Sequence, residues 1–150
     1  MIEIGVVGYG YWGPNLVRNF SEAEGSRVAA VCDLRPQSLA AAARRYPTIR
    51  TTSNFDDLLK DAAIDAVAIA TPVRSHYELA LSALKAGKHV LIEKPMTETA
   101  EQARRLIDAA RRHRRVLMVD HTFVYTPAIR KLRDLVRADE IGRASCRERV

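Results

Sequence analysis

Six residues near the start of the chain, Gly8-Tyr9-Gly10-Tyr11-Trp12-Gly13, have the types and spacing to hold a pyrophosphate. Gly8 permits a tight turn, Gly10 lets backbone approach the phosphates, and Gly13 lets a following helix pack close to the preceding strand. Asp33 stands twenty residues beyond Gly13, where the dinucleotide fingerprint wants an acid for the adenosine ribose hydroxyls. A carboxylate there repels a ribose 2′-phosphate and so favours NAD over NADP, while Arg35 pulls the other way. Asp33 can also be read as a plain helix cap. Three more polar stretches each follow an apolar run: Thr71-Pro72 with His76, then Glu93-Lys94-Pro95, then His121.

The elements that must position these groups alternate. Residues 2–7 read as a strand, then comes the glycine turn, then a short helix over 14–20 with Pro14 suited to its first turn. The free N–H groups and positive dipole end of that helix face the phosphates. Further strands are expected at 27–32, 49–51, 66–70, 88–92 and 115–119. Helices are expected at 36–46, at 54–60 with Ser53 as cap, from Ser75 to about Ala86, at 99–113 and from Thr126-Pro127 to about Ala138. Ser75 and Glu78 form the pattern of a capping box, and Gly87 suits the end of that helix. In the helix over 99–113, Ala103, Leu106, Ile107 and Ala110 are expected to face inward. Strands apolar on both faces, alternating with helices, specify an α/β fold with a doubly wound parallel sheet. In such sheets ligands bind outside the carboxyl ends of the strands. All three polar stretches fall on that edge.

Composition narrows the class. The chain has 150 residues, 47% apolar and 28% charged, with a formal charge of +6. That fits one globular domain. No apolar run is long enough to span a bilayer, and no basic leader precedes the first strand, so a cytoplasmic setting is expected. Cys32 and Cys146 lack metal-site spacing, and no metal is expected. Arg104, Arg105, Arg111, Arg112, Arg114 and Arg115 cluster in and after one helix without interleaved aromatics. They read as a solvated face and a dipole complement, not as a nucleic-acid surface.

The motif GYGYWG, Asp33, Ala70-Thr71-Pro72 and above all Glu93-Lys94-Pro95 resemble the Gfo/Idh/MocA family of NAD(P)-dependent oxidoreductases. The resemblance runs from about Met1 to Ala138. The GYWGPN form, the MTET after Pro95 and His121-Thr122-Phe123 look like members that oxidise nucleotide-linked sugars. It implies a Rossmann domain and a hydride moved between nicotinamide and a sugar or nucleotide-sugar hydroxyl. Lys94 would lie beside the nicotinamide and act as the base; a partly desolvated lysine near other cations suits that work. Glu93 would order Lys94 or bind the nicotinamide ribose, and Pro95 would follow a cis peptide. Thr71, Pro72 and His76 would line the middle of the cofactor, with Tyr9, Tyr11 and Trp12 along the pyrophosphate turn. His76 reads equally as a surface residue, Trp12 as packing for the first helix, and His121 as a substrate contact or a structural histidine.

The family carries a second, larger α/β domain that supplies most of the substrate pocket and the oligomer interface, and nothing in this chain corresponds to it. The expected organisation is a nucleotide-binding domain over residues 1–139 and a tail over 140–150. The longer protein is expected to be a homo-oligomer. The tail resembles an in-frame translation of a sequencing-adapter oligonucleotide, which implies an artefactual or disordered segment. The other functions open to the sequence are a non-catalytic NAD-binding module or redox sensor completed in trans, and a lyase that uses NAD transiently.

Overall fold

The computed structural model describes residues 1–140; residues 141–150, with Cys146 and nearly all of the adapter-like tail, lie outside the described residues. The described chain forms two compact units, one from Met1 to Asp120 and one from His121 onward.

The first unit is the α/β fold. Its strands are β1 (Ile2–Val7), β2 (Ser26–Cys32), β3 (Arg50–Thr52), β4 (Ala66–Ile69), β5 (His89–Glu93) and β6 (Leu117–Asp120). Its helices are α1 (Gly13–Glu22), α2 (Pro36–Arg45), α3 (Phe55–Lys60), α4 (His76–Lys85) and α5 (Ala100–His113). The strands pair in the order β3-β2-β1-β4-β5-β6, every pair parallel. The strand order reverses between β1 and β4, so the crevice for a ligand opens at the carboxyl ends of those two strands.

Alternation along the strands sorts the core into two layers. Ile4, Val6, Val28, Val31 and Ala68 pack with Leu16 and Val17 of α1 and Ala42 of α2. Val7, Ala30, Cys32, Val67, Ile69, Val90 and Ile92 pack with Leu58, Ala80, Ala83, Leu84 and Leu106 of the other helices. Burying each large aliphatic side chain contributes about 1.5–3 kcal/mol, so both layers hold the strand ends rigidly. Burial also pushes the Cys32 thiol up to about 11, leaving it a small, inert hydrophobe.

Several expected details shift. Asn54, not Ser53, caps α3: its side chain accepts from the Asp56 N–H at 3.1 Å. Ser75 caps nothing, because a 3-10 turn (Val73–Ser75) precedes α4. Its hydroxyl instead turns back to Thr71 Oγ1 and the Pro72 carbonyl, each at 2.8 Å. In α5 the buried positions are Leu106, Ala109 and Ala110, while Ile107 is exposed. Lys88 is not a strand residue but a buried tie. Its ammonium donates to the Asp61 carbonyl at 2.6 Å and the Ile64 carbonyl at 2.8 Å, pinning the entry to β4.

The second unit holds a 3-10 turn (Thr122–Tyr125) and helix α6 (Pro127–Arg137). None of the helices among the described residues is long and apolar enough to cross a membrane.

Candidate dinucleotide-binding and catalytic site

The glycine turn is built by close backbone contact. The Gly8 N–H donates to the Cys32 carbonyl at 2.7 Å, and the Ala70 N–H donates to Val7 at 2.8 Å. Gly8 adopts φ +92°, and a Cβ there would stand 2.7 Å from the Ala70 carbonyl oxygen. A Cβ on Gly13 would meet the Gly8 carbonyl oxygen at 1.9 Å, so α1 can begin where it does only with glycine. Gly10 is open: its Cβ would meet only the Arg35 guanidinium, at 3.2 Å. The N–H groups of Gly10, Tyr11, Trp12 and Gly13 find no acceptor among the described residues. They lie at the positive end of α1, the arrangement that receives phosphates. Tyr9 is buried beneath the turn, Tyr11 is 95% exposed and Trp12 is 36% exposed. Tyr11 and Trp12 stand with ring centroids 6.5 Å apart. These elements therefore fit a dinucleotide, with the open glycine as cradle.

Asp33 closes the next strand end. It is buried, and its carboxylate accepts from the Tyr9 N–H at 2.7 Å and the Arg35 N–H at 2.8 Å. The Arg35 guanidinium adds bonds at 3.1 and 3.2 Å. Burial alone would raise this carboxyl; the hydrogen bonds from Arg35 and Tyr9 outweigh it and hold it below the usual range. Asp33 is therefore ionised and fixed in place beside the glycine turn.

His76 ties the next two strand ends together. It is 1% exposed, with Nε2 2.8 Å from the Thr71 carbonyl oxygen and Nδ1 3.0 Å from the Pro95 carbonyl oxygen. Both ring nitrogens face backbone carbonyl oxygens, to one of which a neutral imidazole donates, so His76 is not the surface residue that the sequence also allows. It sets the spacing between the Thr71-Pro72 loop and the Glu93-Lys94-Pro95 loop. Thr71 is half-buried and Pro72 exposed on the first loop. The Lys94–Pro95 peptide is cis.

Glu93 ends β5 directly opposite Asp120 at the end of β6. Partial burial, together with a hydrogen bond to and repulsion from Asp120, raises the Glu93 carboxyl above its ordinary value, while Lys94 opposes that shift. The Lys94 N–H donates to Glu93 Oε2 at 3.1 Å. The Lys94 side chain is exposed. The desolvation expected for it is therefore not supplied by residues 1–120, and the charge shown to interact with it is the Glu93 carboxyl. His121 follows β6, is exposed and opens the second unit. Asp120 is the functional candidate that sequence reasoning missed. Its place just after an apolar strand, like that of Asp33, was the available signal.

The Glu93 environment carries a stability consequence. A carboxyl whose folded pKa is raised contributes stability below its unfolded value, and that contribution is lost as pH rises through the folded pKa. Above the folded pKa the wild type has lost it. Glu93→Gln, neutral at every pH and able to donate to Asp120, is expected to melt about 2 °C higher at pH 7. The gain should vanish near pH 4. Thermal melts across that range decide it; a gain independent of pH would mean the two carboxyls do not interact.

Comparison with known proteins agrees with this geometry. The family described as oxidoreductase family, NAD-binding Rossmann fold, matches residues 2–121. Inositol 2-dehydrogenase 2 of Saccharopolyspora erythraea is 36% identical over 145 residues, which cover 95% of this chain and 43% of that protein. The dTDP-3,4-didehydro-2,6-dideoxy-alpha-D-glucose 3-reductase of Streptomyces violaceoruber is 37% identical over 123 residues, 82% of this chain and 36% of that protein. Among solved structures, an NAD-binding protein from Listeria innocua superposes with TM-score 0.87 at 35% identity, covering 94% of this chain and 41% of its own. A 3-ketoreductase from Actinomadura kijaniata, solved with TDP-benzene and NADP, gives TM-score 0.85 at 30% identity, covering 94% of this chain and 43% of its own. The chain thus spans about two fifths of the length of the relatives it matches. With the parallel sheet, the glycine turn and these matches in agreement, the chain belongs to the oxidoreductase family with an NAD-binding Rossmann fold.

Proposed function

We propose that the chain is the dinucleotide-binding domain, residues 1–139, of an NAD(P)-dependent dehydrogenase, with NAD the favoured cofactor, that acts on a sugar or nucleotide-linked sugar hydroxyl. The observation that carries this reading is the switch point between β1 and β4, where unpartnered turn N–H groups stand beside the anchored Asp33 carboxylate. A bound dinucleotide supplies the hydride acceptor. Gly10, Tyr11, Trp12 and Gly13 offer N–H donors to its phosphates, and Asp33 offers acceptors to its adenosine ribose. Thr71, Pro72, Glu93 and Pro95 line the path towards Lys94, and His76 holds that path's two loops together. Lys94 takes the hydroxyl proton as the carbinol carbon gives up its hydride. To do so it must first release its own proton to solvent, which desolvation favours when substrate and the rest of the longer protein cover it. His121 is the other candidate for contact with substrate. The inositol dehydrogenase and the dTDP-sugar reductase among the relatives support the substrate class. A cytoplasmic setting and a homo-oligomeric longer protein complete the reading.

Calorimetric titration of the 150-residue chain with NAD tests it. Binding in the micromolar to millimolar range is expected, and Asp33→Ala should weaken it about tenfold or more, the loss of charge-assisted bonds to two hydroxyls. A folded chain that ignores NAD overturns the reading.

A further inference from the structure

Glu93 and Asp120 end neighbouring strands in one register, opposite each other at the carboxyl edge of the sheet. They also share a face. Val90 and Ile92 of β5 belong to the core layer under α4 and α5, and Leu117 and Val119 of β6 pack against that layer. Alternation sends Leu91, Glu93, Met118 and Asp120 to the opposite face, where Leu91 meets the other core layer and Met118 is exposed. Two half-buried carboxyls thus stand side by side. The other charged groups near these strand ends lie differently. Lys94 follows Glu93, and its ammonium partly offsets the pair. On α4, His76 turns its ring nitrogens to the Thr71 and Pro95 carbonyls. On α5, Glu101 is engaged with Arg104 and Arg105. Glu98, before α5, and His121, next after Asp120, are exposed.

Topology puts this pair at one end of a bound dinucleotide. Asp33 follows β2, and β5 is three steps away in the order β2-β1-β4-β5, about 14 Å at ordinary strand spacing. With the phosphates at the β1–β4 switch point and the adenosine ribose at Asp33, the nicotinamide half falls at β5 and β6. The charge of that ring changes with its chemistry: it is cationic when oxidised and neutral when reduced. A nearby carboxylate attracts the oxidised ring and has no net charge to attract on the reduced one.

We propose that Asp120, paired with Glu93, makes this site favour the oxidised, cationic nicotinamide over the reduced, neutral one. The inference rests on the dinucleotide-binding reading above and adds to it a residue that acts on the oxidation state of the cofactor. Partial burial and Asp120 hold the Glu93 carboxyl above its ordinary value, so the pair carries one negative charge below that value and two above it. The preference for the oxidised ring therefore grows as pH rises. An edge of this charge suits uptake of oxidised cofactor and release of the reduced form, the sequence that oxidation of a hydroxyl requires.

Calorimetric titration of the 150-residue chain with NAD, NADH and ADP-ribose tests it, the last having no ring. At about pH 8, the NADH-to-NAD ratio of dissociation constants is expected to be about threefold or more higher in the wild type than in Asp120→Asn, the effect of one unit charge at a partly hydrated edge. Asp120→Glu keeps the charge and should keep the higher ratio, and ADP-ribose should bind all three proteins alike. On lowering the pH to about 5, the wild-type ratio should fall further than that of Asp120→Asn, because without Asp120 the Glu93 carboxyl keeps its charge to lower pH. Exposed His121 is common to both proteins, so it drops out of that comparison. A difference of less than about threefold between wild type and Asp120→Asn at the higher pH overturns the proposal. Equal losses for NAD, NADH and ADP-ribose, the mark of a merely structural residue, overturn it too, as does an Asp120→Glu ratio equal to that of Asp120→Asn. A chain with a cooperative melt that binds none of the three, ADP-ribose included, overturns the dinucleotide reading itself, which separates the two failures.

Discussion

Lys94→Ala is expected to lower kcat by about a hundredfold to ten-thousandfold, the range a positioned general base contributes. The measurement needs the rest of the site. This chain joined to the remaining length of a relative such as inositol 2-dehydrogenase 2, of which it covers 43%, provides it. Three features make the effect large. Lys94 is at the carboxyl end of β5, on the edge of the sheet where ligands bind. Its loop is locked from below by the His76 bond to the Pro95 carbonyl, so the lysine starts from a fixed backbone position. No ion pair among the described residues competes for its ammonium. Added ethylamine should restore part of the lost rate in Lys94→Ala, because a small amine can occupy the space of the missing one. A merely solvated lysine predicts less than a twofold loss and no rescue, and that outcome would remove Lys94 from the chemistry.

Gly13→Ala should produce the largest stability loss of any single methyl added to the glycine turn. The new Cβ would lie 1.9 Å from the Gly8 carbonyl oxygen and 2.9 Å from its carbon, both backbone atoms at the switch point. Relief requires α1 to move off the sheet, which loosens Leu16 and Val17 from their layer of the core. Overpacking of this kind costs about 2–4 kcal/mol, a fall in melting temperature of about 10 °C. Two other glycines act as controls with different outcomes. Gly25→Ala meets nothing within 4 Å and suffers only its φ of +83°, about 1 kcal/mol. Gly10→Ala meets only the far end of the exposed Arg35 side chain, so its melt should hardly change. Its NAD affinity should still fall, because the methyl occupies the space phosphates need. Melting curves and NAD titrations on the three variants separate folding from binding. Equal melts for Gly13→Ala and Gly10→Ala would contradict the close strand–helix contact at Gly13.

Much of this protein is legible along its sequence, and for one reason. The order of strand, glycine turn and helix, the parallel sheet, and the candidate roles of Gly8, Gly10, Gly13 and Asp33 rest on patterns confined to a few consecutive residues or on one known spacing, while the candidate role of Lys94 rests on the family resemblance. Helix ends were less legible. Ser75 has the neighbours of a cap, yet the 3-10 turn at Val73–Ser75 redirects its hydroxyl to Thr71. Ile107 fits the apolar stripe of α5 by period, and the rotation of that helix on the sheet leaves it in solvent.

Contacts across the sheet were decided by the tertiary structure alone. His76 is a polar residue on a helix by sequence; only the fold encloses it between carbonyls 5 and 19 residues away. Glu93 meets Asp120 because β5 and β6 pair in one register, and a shift of a single residue would part them. Asp33 is an acid at a telling distance from Gly13 by sequence, but its bond to the Tyr9 N–H needs β1 and β2 side by side. Local pattern determines which elements form, because turns, caps and periodicity act over a few residues. Which charges face one another depends on topology and register, and those are settled only when the two core layers pack.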